Sequence, residues 1–71
     1  MKFKYYKKLD RDITYWTVFR SNGKHWEVYA RYKNSEGSEI LWEIVEYLSD
    51  NNYHLYKLEE ISEEDVFLAF I

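Results

Sequence analysis

The stretch ITYWTVFRSNGKHWEVYARYK, residues 13–33, decides the fold. At its centre Asn22-Gly23 supplies two residues that tolerate positive φ, as a type I′ turn requires, between two runs rich in β-branched and aromatic side chains. This is the signature of an antiparallel hairpin. A two-residue loop sets Ser21 opposite Lys24 and, because opposed side chains share a face, sorts both strands into two sets. Phe19/Trp26, Thr17/Val28, Tyr15/Ala30 and Ile13/Tyr32 form the expected core face. Arg20/His25, Val18/Glu27, Trp16/Tyr29, Thr14/Arg31 and Asp12/Lys33 form the other, and the charges in all but one of those pairs point it towards water.

Working outward, Lys2, Phe3, Lys4 and Tyr5 alternate and predict a further strand with the two rings turned inward. After a loop at 34–37, Ser38 is placed to cap a helix in which Ile40, Leu41, Ile44, Val45 and Leu48 recur at helical spacing. Glu39, Glu43 and Glu46 line its outer side, and Asp50-Asn51-Asn52 ends it. Residues 53–58 read as a short strand. Ser62-Glu63-Glu64-Asp65 reads as a capped, acidic helix start feeding the apolar run 66–71, which suits a short docked helix or an edge strand. The expectation is a single compact α+β domain over 1–71, an antiparallel hairpin or meander sheet packed on one main helix, in the order β-β-β-α-β-α.

Length and composition narrow the function. Seventy-one residues make one domain and exclude a multidomain enzyme. Three Trp, eight Tyr and four Phe supply most of the core that so short a chain needs, because aromatic side chains bury the largest area each. With no cysteine there is neither a disulfide framework nor a thiolate metal site, which fits a cytoplasmic setting. The basic start lacks the apolar segment of a signal peptide, and the run 66–71 is far shorter than the roughly twenty residues of a membrane span. Phe, Tyr, Ile, Asn and Lys dominate over Gly, Ala, Arg and Pro, a usage typical of AT-rich genomes and compatible with a phage or mobile element.

The net charge of −3 conceals a split. Residues 1–33 hold nine Lys/Arg against three acids, and residues 34–71 hold ten acids against Lys57 alone. The halves are expected to form separate patches, with monomers or weak, salt-dependent self-association as the result. Lys2, Lys4, Lys7, Lys8 and Arg11 suit either phosphate contacts or a basic edge strand that resists edge-to-edge pairing.

Catalytic material is thin. His25 and His54 lie far apart in sequence, and neither a metalloprotease helix motif, a phosphate loop nor a nucleophile elbow occurs. No enzyme, metal or cofactor is expected. The leading expectation is a small non-catalytic protein-interaction module that binds or inhibits a larger protein, with Trp16, Tyr29, Glu39, Glu43, Glu46, Glu63 and Glu64 as contact residues. Its acidic side could mimic nucleic acid, since charge complementarity selects partners and speeds encounter. The alternative is a single-stranded nucleic-acid-binding module in which Trp16 and Tyr29 stack bases while Arg20, Arg31 and Lys33 follow phosphates. That reading needs Trp16 and Tyr29 open to solvent rather than covered by residues 66–71.

Overall fold

The computed structural model of the chain describes residues 2–69; Met1, Phe70 and Ile71 lie outside the described residues. In order it contains β1 (Lys4–Lys8), β2 (Val18–Ser21), β3 (Trp26–Lys33), β4 (Glu39–Val45), a 3₁₀ turn (Tyr53–Tyr56), β5 (Leu58–Ile61) and α1 (Glu63–Ala69). The strands form one antiparallel sheet in the order β4-β3-β2-β1-β5. This is a small α+β fold, as expected, in which the expected main helix is replaced by a strand and the helix expected after Ser62 forms α1.

The hairpin forms around Asn22-Gly23 with a wider loop than the two-residue turn allows. Phe19 pairs with Val28, Arg20 with Glu27 and Ser21 with Trp26, leaving residues 22–25 as the loop. Asn22 Oδ1 accepts the N–H groups of Lys24 and His25, and Gly23 takes φ 91°. A side chain thus does the work expected of a backbone turn. The displacement from the expected register is even, so period-two alternation survives and Phe19, Trp26, Val28 and Ala30 still share the buried face.

Alternation fails upstream. Residues 13–17 form no strand, because Thr17 Oγ1 accepts the N–H of Thr14 and lies 2.9 and 2.8 Å from the carbonyls of Asp12 and Thr14, tying the chain into a turn. Trp16 sits at φ 69° and donates its N–H to the Tyr29 carbonyl at 2.7 Å. That left-handed residue exchanges the sides expected for Tyr15 and Trp16.

The main helix expected from Ser38 is absent; β4 occupies its place. Asn34 Oδ1 accepts the N–H groups of Glu36 and Ser38, Asn34 N–H donates to the Ser38 carbonyl, and Gly37 takes φ 87°, closing a second hairpin. The spacing of Ile40, Leu41, Ile44 and Val45 fits a helix, but β-branched and aromatic residues also suit a pleated surface, and β3 offers a ladder from Trp26/Val45 to Lys33/Glu39. The strand expected at 53–58 is likewise displaced: residues 53–56 make a 3₁₀ turn, Lys57 adopts φ 55°, and β5 starts at Leu58 beside β1. Ser62 accepts the Asp65 N–H and caps α1 as expected.

Both faces of the sheet are covered. On one, Tyr6, Phe19, Trp26, Val28, Val45, Leu48 and Leu58 form a buried cluster on which Tyr53 packs. The Tyr53 ring lies 5.2 Å from both Trp26 and Tyr6, and Trp26 Nε1 donates to Asp50 Oδ1 at 3.1 Å. On the other face Val66 of α1 packs on Tyr5 and Val18, with Phe3, Ile13, Tyr29, Trp42 and Ile61 around them.

The topology also rearranges the charge. The acidic strands β4 and β5 take the two edges, and the basic first half fills the middle. Lys7 meets Glu59 at 3.1 Å and Arg31 meets Glu39 at 2.9 Å, so the halves interleave rather than form separate patches. β1 is an interior strand, which removes the reading of its lysines as edge protection.

Candidate binding groove

On the Trp26 face the segment after β4 leaves a hollow above buried core residues. A groove of about 660 Å³ runs over Phe19, Val28 and Val45, with Trp16, Glu43, Ile44, Glu46, Tyr47 and Lys8 as its sides. At Lys8, Phe19 and Tyr47 it meets a second hollow of about 340 Å³ bounded by Asp10, Arg11, Tyr56 and Lys57. Acids stand at one end, while three bases and one acid stand at the other.

The exposed rings are held in place. Trp16 is 52% exposed, yet its backbone is pinned to Tyr29 and its ring stacks on Tyr32 with centroids 6.4 Å apart. Tyr32 Oη donates to Glu43 Oε1 at 3.1 Å, and this bond raises the phenol above its ordinary pKa, with desolvation adding in the same direction. Across the groove Tyr47 packs on Tyr56 at 5.3 Å, and the Tyr47 carbonyl accepts from Asn52 Nδ2. Rigid rings above an apolar floor lose little conformational entropy on binding.

The expected contact residues divide between the two faces. Trp16, Glu43 and Glu46 come together at the groove. Tyr29 lies on the opposite face, stacked on Tyr15 at 5.2 Å and edge-on to Trp42 at 4.9 Å, so the expected Trp16/Tyr29 pair does not form. Glu39 is bound to Arg31, whose pKa is raised by its hydrogen bonds, first to Tyr15 and then to Glu39. Glu63 and Glu64 occupy the first turn of α1.

The residues expected to follow phosphates are dispersed as well. The Arg20 guanidinium lies between the rings of Phe3 and Trp42, 4.0 and 4.1 Å from their centroids, and its Nε donates to Glu27 Oε1 at 2.5 Å. Such a sandwich covers both faces of the cation and pairs it with a carboxylate. Lys33 is exposed opposite Glu39 at the end of the β3 ladder. His25 approaches Glu27 at 3.5 Å, His54 sits edge-on to Tyr53, and no group of three metal-ligating side chains occurs among the described residues.

Sequence reasoning missed Tyr47, Tyr56, Ile44 and Lys57. Tyr47 and Ile44 belonged to the expected helix, and nothing in an isolated sequence places residues 47 and 56 side by side. Comparison with protein-family models, curated proteins and solved structures found no match. Among the described residues no helix is long and apolar enough to cross a membrane.

Proposed function

We propose that this chain is a small non-catalytic interaction module that binds or inhibits a larger protein through the groove between Trp16 and Tyr47. One observation carries the reading: Trp16 and Tyr47, both more than half exposed, stand beside one groove floored by the buried core residues Phe19, Val28 and Val45. Exposed Trp and Tyr rings beside a concave surface suit an interface, because Trp and Tyr dominate binding energy at protein interfaces. Glu43 and Glu46 on the rim favour a partner that presents basic residues there. The cysteine-free composition is in keeping with a cytoplasmic setting, and the residue usage with a phage or mobile-element source.

The test is affinity capture from native lysate with the intact chain. A stoichiometric partner is expected, released by Trp16→Ala and by Glu43→Lys/Glu46→Lys and retained by Glu64→Lys on the other face. A partner held equally by all variants refutes the groove. Single-stranded nucleic acid draws less support, because Arg20 is sandwiched and Trp16 and Tyr29 face opposite ways. An oligonucleotide titration separates the two: nucleic-acid binding would quench Trp fluorescence with an affinity falling at a log–log salt slope of about −0.7 per phosphate contact.

A further inference from the structure

The two edges of the sheet are built differently. Each carries two glutamates, but β5 is only four residues long and leads directly into α1. β4 is seven residues long, reads EILWEIV, and contains neither lysine nor proline. An edge strand turns unpaired N–H and C=O groups outward, and proteins ordinarily blunt it with lysine, proline, a bulge or a covering element. The irregularity in the β3/β4 ladder sets Ala30 and Arg31 against Leu41, so the extra residue belongs to β3 and β4 is its unbulged partner. Leu41 and Ile44 are 44% and 57% exposed. Beside them Leu41, Trp42 and the exposed Phe67 line a cleft of about 320 Å³ on the α1 face.

We infer that β4 is a self-pairing edge, through which two copies of this chain associate by antiparallel β4-to-β4 pairing about a twofold axis perpendicular to the sheet. Such an axis must pass through a residue position if opposed side chains are to share a face. With Trp42 on the axis the whole of β4 pairs with itself: Glu39 opposes Val45, Ile40 opposes Ile44, Leu41 opposes Glu43, and no acid opposes an acid. Moving the axis to Glu43 sets that residue against its own copy, and moving it to Leu41 sets Glu39 against Glu43. Like charges directly opposed are destabilising, so the Trp42-centred register is selected.

This symmetry argues for a second copy rather than a foreign strand, which has no reason to complement β4 about its own centre. The strand spans about 24 Å at roughly 3.4 Å per residue, and a bare edge of that length falls short of the roughly 800 Å² per partner of a standard interface. Leu41, Ile44 and Phe67 widen the contact, and the result is a weak, reversible dimer. Pairing gathers the acids of both β4 strands, so added salt leaves the dimer intact or strengthens it. Attraction between basic and acidic surfaces behaves oppositely.

The test is sedimentation velocity on the full chain from about 10 µM to about 1 mM, the range in which weak association registers. The expected result is a monomer–dimer equilibrium that survives moderate salt, is weakened roughly tenfold or more by Leu41→Glu, which sets a carboxylate against Glu43 of the other copy at both ends of the pairing, and is unaffected by Glu60→Lys on β5 or Trp16→Ala at the groove. The chain has no cysteine, so Leu41→Cys/Glu43→Cys serves as a register probe that remains informative should Leu41→Glu fail to fold. Opposed Cα atoms about 4.5–5.5 Å apart are within disulfide reach, so mild oxidation gives a covalent dimer, whereas Glu59→Cys/Ile61→Cys does not. A monomer at every concentration overturns the proposal and leaves the edge to a strand of another protein. A dimer dissolved by salt, or one that persists in Leu41→Glu without the expected cross-link, overturns it equally.

Discussion

The two faces of this sheet are covered by the same chain in different ways. The Trp26 face lies under residues from the loop after β4 and the 3₁₀ turn, and at its centre Tyr53 stacks on Trp26 with Tyr6 tilted against both. The Val18 face lies under a seven-residue helix that contributes one buried side chain, Val66, beside a half-buried Arg20–Glu27 pair between rings. A five-stranded sheet in so short a chain must be closed on both sides by whatever sequence remains. Here the longer closing segment makes the tighter core and, where it stops short, the groove.

If the Trp26 face carries stability, truncating its central ring is the most damaging change. Trp26→Ala is expected to cost about 3–5 kcal/mol in urea unfolding, since it empties the stack and leaves Asp50 without its indole donor. Val66→Ala removes two carbons from the other face and is expected to cost about 1–2 kcal/mol. Equal losses would show that both faces contribute alike.

Tyr6 sharpens it through pH. Burial, then the charges of Glu60, Tyr53 and Asp50, raises its phenol above the ordinary value of 10.0. The unfolded chain therefore loses this proton first. The associated stability is fully present below pH 10 and is lost as pH rises through the raised folded value. Tyr6→Phe is expected to flatten the alkaline fall in unfolding free energy, and an unchanged slope would remove Tyr6 as its source.

The smallest effect is expected at the groove. Trp16→Ala should change stability by less than about 0.5 kcal/mol, because the ring is half exposed and the left-handed backbone is no better suited to Trp than to Ala. A larger loss would make Trp16 part of the core and weaken its reading as a contact residue.

Much of the hairpin was legible in the sequence. The alternation Trp26, Val28, Ala30 survives a displaced register because the displacement is even, and Ser62 caps α1 where its spacing to Asp65 indicated. The groove was legible only in part. Trp16, Glu43 and Glu46 were candidates, but Trp16 was assigned to the wrong side because one left-handed residue inverts alternation, and hydroxyl-bonded turns such as that at Thr17 leave no periodic trace.

By itself the sequence determined a small aromatic-rich α+β chain, a hairpin at Asn22-Gly23 and the two sets of side chains that β3 presents. Tertiary structure alone decided that residues 39–45 form a strand, that β1 lies inside the sheet, and that the acidic half supplies both edges. The reason is physical: alternation and turn chemistry act between near neighbours, whereas a segment with both helical spacing and β-prone side chains takes the form for which a partner is available. For β4 that partner is β3, whose open edge offers Trp26 to Val45 and Lys33 to Glu39.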